Sequence, residues 1–436
     1  MATTPAAASQ AAPHAVILEA PAAEERVSPL AVGSWAMYDF ANTIFSMNIV
    51  SVFFPGFIIQ LGLNDAAYAF PMSAALLVVA LIMPVLGAMS DRAGRRIPWL
   101  AGFTLLCIAM TVVMGLTGEV WLIIGAYVAA SIGYQTALVF YDALLPSVSN
   151  TVNWGKVSGL GVGLGYAGAL AGLIAVTLLV GSSSKQNAFI PSALLFLVFA
   201  LPCFFFVRER RHTPTQVAGS PVRATWRDAV SQTWRTIQHA REVPGLFRFL
   251  VANFFYSDAL NTVIVAMGVY ATEVIGFGTA LEVLGPATVA AVLGSWLFGL
   301  VTDRLTSKQS LIISLLMWVG VFLAAMFVTD MFIFQWVVAP VAGIALGSTW
   351  TAARTMMVEL SPPERLGEFM GIYNLTGKFA AVLGPALWGG TLLLLDPREY
   401  GRFAYQVAIG TLLVMVVIGF VLHLSTPNIK RVKHAA

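Results

Sequence analysis

Four charged side chains stand inside long apolar stretches of the sequence, where a charge is energetically costly. They are two acids and two bases, Asp39, Asp258, Arg354 and Lys378. On the membrane-insertion scale each costs ~2.5–3.5 kcal/mol at the centre of a bilayer before it finds a partner. We therefore predict that they face a central pathway for a solute and an ion. In the alternative interpretation they pair only to hold helices together, and Arg354 extends to the membrane surface.

Polar and aromatic residues accompany these charges at helical spacing. Asn42 follows Asp39 by three residues, and Asn261 follows Asp258 by three. Each pair therefore lies on one face of a helix. Tyrosines stand close to both acids, and an asparagine lies one helical turn before the lysine. The predicted pathway residues are Tyr38, Asp39, Asn42, Tyr256, Asp258, Asn261, Arg354, Asn374 and Lys378.

A second charged group lies in a short loop between two apolar runs. Residues 87–96 read Gly-Ala-Met-Ser-Asp-Arg-Ala-Gly-Arg-Arg. We predict that Asp142, at the end of a later run, pairs with Arg92 or Arg95, and that this latch forms in one conformation and breaks in another. In the alternative, the basic loop only fixes the orientation of the chain in the membrane. The predicted latch residues are Gly87, Asp91, Arg92, Arg95, Asp142, Asp303 and Arg304.

The composition determines which kind of element must position these residues. Of the 436 residues, 58% are hydrophobic and 10% are charged, and the mean hydropathy is +0.82. A soluble domain carries about 25% charged residues, and a disordered chain lacks this many apolar residues. The sequence therefore predicts an integral membrane protein. Its spans must be α-helical, because lipid cannot satisfy open backbone groups.

The sequence contains twelve apolar runs, each close to the ~20 residues that cross a bilayer. The runs are 29–59, 67–90, 98–117, 120–144, 157–181, 187–207, 246–272, 280–302, 309–329, 331–357, 368–395 and 403–424. The one long connection divides them six and six. We therefore predict a tail (1–28), a six-helix bundle (29–207), a cytoplasmic linker (208–245), a second six-helix bundle (246–424) and a second tail (425–436).

The basic residues predict the orientation. If the N-terminus is cytoplasmic, nineteen of the 24 Lys and Arg residues fall on the cytoplasmic side and three fall outside. This bias follows the positive-inside rule and explains the net charge of +3 without a nucleic-acid partner. Residues 1–27 lack the features of a signal peptide, so the first run is expected to direct insertion. Apolar residues at helical spacing in the linker predict an amphipathic helix on the membrane surface, with a solvated linker as the alternative.

An internal duplication relates the two bundles. The loop after the second run contains Gly87, Asp91 and Arg92, and the loop after the eighth contains Gly299, Asp303 and Arg304 at an offset of 212 residues. Several glycines of the fifth run recur in the eleventh at the same offset. Two duplicated six-helix halves are typical of transporters that work by alternating access around a central site.

A glycine string in the fifth run matches a nucleotide-binding fingerprint by letter only. Residues 163–168 read Gly-Leu-Gly-Tyr-Ala-Gly, but the fingerprint requires a strand before the glycines and a helix after them. Here the string lies inside a membrane helix, where small residues four apart favour close helix packing. Cysteine and histidine are few and scattered, with two and five residues. We predict no metal site and no cofactor.

Several motifs resemble one superfamily across the whole chain. The loop GAMSDRAGRR at 87–96, together with twelve runs in two halves, resembles the major facilitator superfamily. Segments 34–45 (SWAMYDFANTIF), 140–146 (FYDALLP) and 371–385 (GIYNLTGKFAAVLGP) are similar to its branch of vacuolar autophagy-related amino-acid effluxers and bacterial relatives. The resemblance implies a fold of two pseudo-symmetric six-helix bundles and solute transport, with amino acids as substrates by analogy.

These features together predict a secondary transporter and not an enzyme. Acids facing an amino group, with Lys378 or Arg354 facing a carboxylate, suit an amino acid or similar zwitterion. Asp258 is the preferred proton carrier, because it lies deepest and has Lys378 as a candidate partner across the cavity, and Asp39 is second. We expect a monomer in a bacterial plasma membrane, with both termini cytoplasmic, and the pattern is compatible with import and export. A receptor with a transporter fold is the main alternative, and a membrane-embedded transferase is the other.

Overall fold

The protein, described as a computed structural model, is built almost entirely of long helices. The structure describes residues 17–18, 28–63, 66–181, 183–209, 238, 241–278, 281–428 and 430–431. Within these residues we number twelve long helices in chain order. They are α1 (Pro29–Gln60), α2 (Ala66–Ala93), α3 (Ile97–Leu116), α4 (Val120–Ala143), α5 (Trp154–Val180), α6 (Lys185–Phe206), α7 (Leu246–Tyr270), α8 (Leu281–Arg304), α9 (Ser307–Phe327), α10 (Met331–Leu360), α11 (Leu366–Leu394) and α12 (Arg402–Leu424).

The twelve helices coincide with the twelve predicted apolar runs. In the described ranges, ten helices are long and apolar enough to cross a membrane, and α2 is an eleventh if its bent parts form one span. The bend of 41° falls between Phe70–Met83 and Val85–Asp91. Residue 84 between them is a proline, which removes a helical hydrogen bond and bends a helix. Helix α7, with Asp258 near its middle, completes the set.

The helices pack as two six-helix halves. In the first half α1 packs against α5 and α6, and α3 packs against α4. In the second half α7 packs against α11 and α12, and α8 packs against α10. The halves meet through α2 against α11 and through α5 against α8. These two contacts are equivalent under the duplication, since α2 corresponds to α8 and α5 to α11. The limits of the predicted domains stay a prediction.

Glycines of α5 bring its backbone against α1. A Cβ at Gly168 would overlap the backbone of Phe40 and lie 2.8 Å from its Cα, and one at Gly172 would lie 2.7 Å from Ile44 Cγ1. The glycine string lies within the continuous helix Trp154–Val180. The prediction that these glycines serve helix packing is therefore confirmed.

The described parts of the two tails meet in a short strand pair. Strand β1 (Ile17–Leu18) pairs in parallel with β2 (Lys430–Arg431). The predicted amphipathic helix of the linker falls on residues 210–237, outside the described residues, and stays a prediction.

Candidate functional site

Arg354 on α10 lies where the two halves meet. Its Nη1 and Nη2 atoms both lie 3.3 Å from Asp39 Oδ2 on α1, and its Nε lies 3.0 Å from Asp142 Oδ1 on α4. The three side chains are 12%, 9% and 7% exposed. One base of the second half thus joins two acids of the first. The alternative that Arg354 extends to the membrane surface is wrong.

Two aromatic rings hold the guanidinium group of Arg354. Its Cζ lies 5.6 Å from the ring centre of Trp35 and 5.4 Å from that of Tyr141. The two rings stack on each other at 4.5 Å, and Trp35 Nε1 donates to the carbonyl of Tyr141. Cations bind favourably to aromatic faces at these distances. Sequence reasoning did not assign Tyr141 to the site, although it directly precedes Asp142.

Asp142 belongs to this charged network. Its Oδ2 accepts a hydrogen bond of 3.2 Å from Asn374 Nδ2 on α11, in addition to the ion pair with Arg354. The side chain of Arg95 is exposed to the surroundings of the protein. The cation that pairs with Asp142 is thus Arg354 of the other half and not Arg95, while pairing with Arg92, whose side chain lies outside the described residues, stays a prediction.

Asp258 on α7 is fully buried against α11. Its Oδ1 accepts a hydrogen bond of 2.8 Å from the backbone N–H of Gly384, and its Oδ2 has no hydrogen-bond partner among the described residues. A Cβ at Gly384 would overlap Thr262 Oγ1 and lie 2.9 Å from Asp258 Oδ1. Glycine is therefore required for this approach. The predicted pairing of Asp258 with Lys378 is wrong, because a backbone donor occupies the place of the cation.

Lys378 lies one helical turn beyond Asn374 on α11. Its side chain is half-buried and interacts electrostatically with Asp142. Within the described part of the chain it forms no hydrogen bond and no ion pair, whereas Arg354 is engaged by two acids. Of the two intramembrane cations, Lys378 is thus the one without an ion pair among the described residues.

The two predicted pathway tyrosines serve packing inside their own halves. Tyr38 shares a hydrogen bond of 2.6 Å with Thr104 Oγ1 on α3 and stacks on Tyr141. Tyr256 is fully buried and packs against α12, where a Cβ at Gly419 would lie 3.2 Å from its Cβ. In this conformation both tyrosines are thus buried within their own halves, and their place in the pathway stays a prediction.

The predicted asparagines divide among different environments. Asn42 is buried near Tyr134, and its Oδ1 atom has no hydrogen-bond partner among the described residues. Asn374 joins the charged network through Asp142. Asn261 is half-buried on α7. Asn374 is thus the one of the three that the structure brings to Arg354 and its acids.

Asp303 joins the halves at the face that carries the α2–α3 and α8–α9 loops, here called the loop face. Its Oδ1 and Oδ2 accept hydrogen bonds of 2.8 and 2.7 Å from the N–H groups of Gly155 and Lys156, at the start of α5. These donors are free because the first turn of a helix has no internal partners. The positive end of the helix dipole also favours the carboxylate.

Asp91 makes the equivalent contact in the other half. It accepts hydrogen bonds of 3.0 and 2.9 Å from the N–H groups of Gly367 and Glu368, at the start of α11. All three residues lie 212 positions from their counterparts at Asp303. Arg96 adds an ion pair of 2.8 Å with Asp91. The duplication offset could have identified the helix starts, but sequence reasoning did not apply it there.

Glycines allow the backbones of α2 and α11, and of α8 and α5, to approach each other closely at the loop face. A Cβ at Gly87 would lie 2.7 Å from the carbonyl carbon of Gly367, and one at Gly299 would lie 2.7 Å from Gly155 O. The predicted latch glycine Gly87 therefore stands at a backbone crossing of α2 and α11. Arg304 is exposed, and the side chain of Arg92 lies outside the described residues.

A cavity of about 370 Å³ lies on the opposite side of the Arg354 network from the loop face. It is lined by the far halves of α1, α5, α7, α8 and α10 together with α9, and none of its lining residues is charged. Hydroxyl groups on its wall donate to backbone carbonyls of their own helices, as Thr43 and Thr288 do. The prediction that the four intramembrane charges line one central cavity therefore does not hold for this cavity.

Known proteins are similar to this chain in sequence. The family model described as Vacuole effluxer Atg22 like matches residues 63–436. The chain belongs to this family. An MFS-type transporter described as uncharacterized, YxiO of Bacillus subtilis, is 27% identical over 91% of this chain and 94% of its own length. Autophagy-related protein 22-1 of Aspergillus niger is 28% identical over 54% of this chain and 42% of its own length.

Solved structures of transporters share the fold of this Atg22-like chain. The human organic anion transporter MFSD10 superposes with a TM-score of 0.70 at 14% identity, over 90% of this chain and 98% of that one. FucP in the outward conformation gives 0.66 at 12% identity, over 89% and 97%. The major facilitator fold and the membrane-transport function are therefore confirmed. The alternative of a transferase is wrong, because the relatives are transporters.

Proposed function

We propose that this Atg22-like protein carries an amino acid or a similar zwitterion across the membrane by alternating access, coupled to protons. One observation supports this most directly. A buried network of Arg354, Asp39 and Asp142 separates an uncharged cavity from the loop face, and beside it Lys378 has no described ion-pair partner. In this proposal a solute that enters the cavity meets the ammonium group of Lys378 before it passes the charged network.

The two aspartate contacts of the loop face support the alternating-access part of the proposal. Asp91 and Asp303 each hold a helix start of the opposite half, and the cavity lies on the far side. In this conformation the loop face is closed. Both contacts must break for the halves to separate there, and the solute then leaves through the loop face or enters from it.

Charge complementarity supports a zwitterion. Arg354 is already bonded to two carboxylates, so Lys378 is the group for a solute carboxylate. Asp39 is the group for an amino end, because its contacts with Arg354 are long at 3.3 Å and involve only Oδ2. A solute ammonium group can replace part of that contact and so weaken the ion pair between the halves.

Asp258 supports coupling to protons. Its side chain is fully buried, with one oxygen on the Gly384 N–H and the other without a described partner. A buried carboxylate that lacks a counter-charge is strongly disfavoured relative to its neutral form. Asp258 therefore carries a proton in this conformation and releases it when the movement of α7 against α11 exposes it.

The placement of basic residues supports a cytoplasmic loop face. The predicted orientation puts both termini and most Lys and Arg residues on that side. We propose the plasma membrane of a bacterium as its location, as the length and similarity of the Bacillus subtilis relative suggest, and a monomer as its working unit. Whether the protein imports or exports depends on the gradients across that membrane.

Direct binding to the purified protein tests the proposal. The panel consists of the twenty standard amino acids, neutral sugars and dicarboxylates, measured by calorimetry in detergent. We expect binding by amino acids and its loss in Lys378→Met. Binding by sugars or dicarboxylates alone would overturn the zwitterion. Binding without any flux in proteoliposomes would favour the receptor instead.

A further inference from the structure

Gln135 on α4 is a buried amide that belongs neither to the Arg354 network nor to the loop-face contacts. Its side chain is 4% exposed, and its Oε1 atom has no hydrogen-bond partner in the described part of the chain. A buried carbonyl oxygen without a donor is costly, and nearly all such atoms in proteins find one. Within the described residues this oxygen is thus available to accept a hydrogen bond from a bound solute.

The helix register places Gln135 near Lys378. Asn374 donates to Asp142, and this bond fixes α4 against α11. Gln135 lies seven residues from Asp142 and Lys378 lies four residues from Asn374, on the same helix faces as those residues. At 1.5 Å per residue they stand about 10.5 Å and about 6 Å from the Asn374–Asp142 bond. Both displacements point away from the loop face, because the two helices are antiparallel.

The duplication shows that the common fold does not require this pair. At an offset of 212 residues, Gln135 corresponds to Gly347 and Lys378 corresponds to Tyr166. Tyr166 lines the uncharged cavity. One side of the pseudo-symmetric centre therefore carries an amide and an ammonium group, and the other carries a glycine and a tyrosine. The two halves therefore differ at this position, and the polar groups of one half are those that a ligand with a charged end requires.

We infer that Gln135 and Lys378 form the subsite for the head group of an α-amino acid. The ammonium of Lys378 binds the carboxylate, and Gln135 Oε1 accepts an N–H bond from the solute's ammonium group. This inference rests on the proposed function and adds Gln135 as a second acceptor for the amino group, beside Asp39. A neutral acceptor satisfies that group without adding a third acid to Asp39 and Asp142.

Lys378 and Gln135 should then recognise different groups of the solute, the carboxylate and the ammonium group. The probes are the tightest-binding standard amino acid and its deaminated carboxylic acid, which keeps the carboxylate but has no N–H donor. In the wild type we expect the amino acid to bind at least tenfold more tightly than the deaminated acid. Gln135→Leu should reduce that preference, with the part due to Asp39 remaining, and leave binding of the deaminated acid unchanged. Lys378→Met should weaken both probes.

Two further variants separate recognition from folding. Gln135→Glu keeps an acceptor oxygen in the same shape and should retain the preference for the amino acid. Thr136→Val changes the neighbouring buried residue, whose Oγ1 also has no described partner, and should leave both affinities unchanged.

The binding affinities distinguish the subsite from the proposed function. An unchanged preference in Gln135→Leu, or an equal loss of both probes, overturns the subsite alone. A wild type that binds no amino acid overturns the proposed function and the subsite together.

Discussion

Arg354 and Asp142 occupy equivalent positions in the two halves, 212 residues apart, and they form an ion pair with each other at 3.0 Å. The duplicated position thus carries opposite charges in its two copies, and the charges meet on the pseudo-symmetry axis. Asp39 adds a second acid from α1. The network can separate only if the halves move apart or if a solute supplies replacement charges.

Removal of the arginine should destabilise the protein more than removal of either acid. Arg354→Met leaves Asp39 and Asp142 buried together without their cation, and breaking a buried ion pair in this way costs about 3–5 kcal/mol. Asp39→Asn leaves Arg354 paired with Asp142 and should cost less. The thermal midpoint of unfolding in detergent is the measurement.

A triple variant separates the charge effect from the packing effect. Arg354→Met combined with Asp39→Asn and Asp142→Asn removes all three charges and should recover much of the midpoint lost in Arg354→Met, without transport. Equal midpoints for the single variants Arg354→Met and Asp39→Asn would contradict the network.

Breaking the loop-face contacts should open that face. Asp303→Asn and Asp91→Asn each remove the negative charge that holds two N–H groups of a helix start. We expect slower turnover with nearly unchanged solute affinity. Ser158 is buried and donates a hydrogen bond across the halves to Thr351 O. A cysteine placed at position 158 should react several-fold faster with a maleimide in the Asp303→Asn or Asp91→Asn background than in the wild-type background.

A matched aspartate at the other end of the protein is the control for the latch. Asp330 also caps a helix start, where its Oδ1 accepts from Ile333 N–H at 2.8 Å, but it does so within its own half. Asp330→Asn should leave the reactivity at position 158 unchanged. An equal effect of Asp330→Asn and Asp303→Asn on this reactivity would show that the loop-face contacts do not hold that face closed.

The α1–α5 crossing should reject any side chain at its tightest point. Gly168→Ala places a methyl group against the backbone of Phe40 and should cost more than about 1 kcal/mol, as overpacked sites do. Gly102→Ala, on α3 with open space around it, should instead stabilise by about 0.5–1 kcal/mol because alanine favours a helix. Thermal unfolding of both variants checks the sign. A stabilising Gly168→Ala would show that α1 and α5 do not approach this closely.

The sequence was sufficient for the fold because apolar runs and backbone chemistry decide it. Runs of about twenty apolar residues must form helices in lipid, and the offset of 212 residues divided those helices correctly into two halves. Glycines at four-residue spacing predicted close packing of α5, and the structure shows that its partner is α1. The apolar runs and the glycine spacing are local patterns, and the offset requires only a comparison of the chain with itself.

The pairing of charges was not predictable in the same way. Asp39 and Arg354 are 315 residues apart, and only the crossing of α1 and α10 shows that they meet. Asp258 was assigned to Lys378 by depth in the membrane, but depth does not give the direction in which a side chain points. Gln135 was overlooked because an uncharged amide in an apolar run carries little sequence signal.

Coupling to protons should depend on Asp258. Asp258→Asn keeps an acceptor for the Gly384 N–H but cannot gain or lose a proton. We expect it to lose accumulation of solute driven by a pH gradient while retaining exchange, which needs no net proton movement. Asp396→Asn, at an exposed helix cap, is the matched control and should behave like the wild type. Accumulation by the Asp258→Asn variant against a solute gradient would rule out Asp258 as the proton carrier.

Counterflow in proteoliposomes tests most directly whether this protein moves a zwitterion by alternating access. Vesicles are preloaded with an unlabelled amino acid and diluted into a trace of the same labelled compound, with glucose and succinate tested in parallel. We predict a transient overshoot of the labelled amino acid in the wild type, no overshoot in Lys378→Met, and none for glucose or succinate. An overshoot with glucose or succinate, and none with any amino acid, would contradict the proposal.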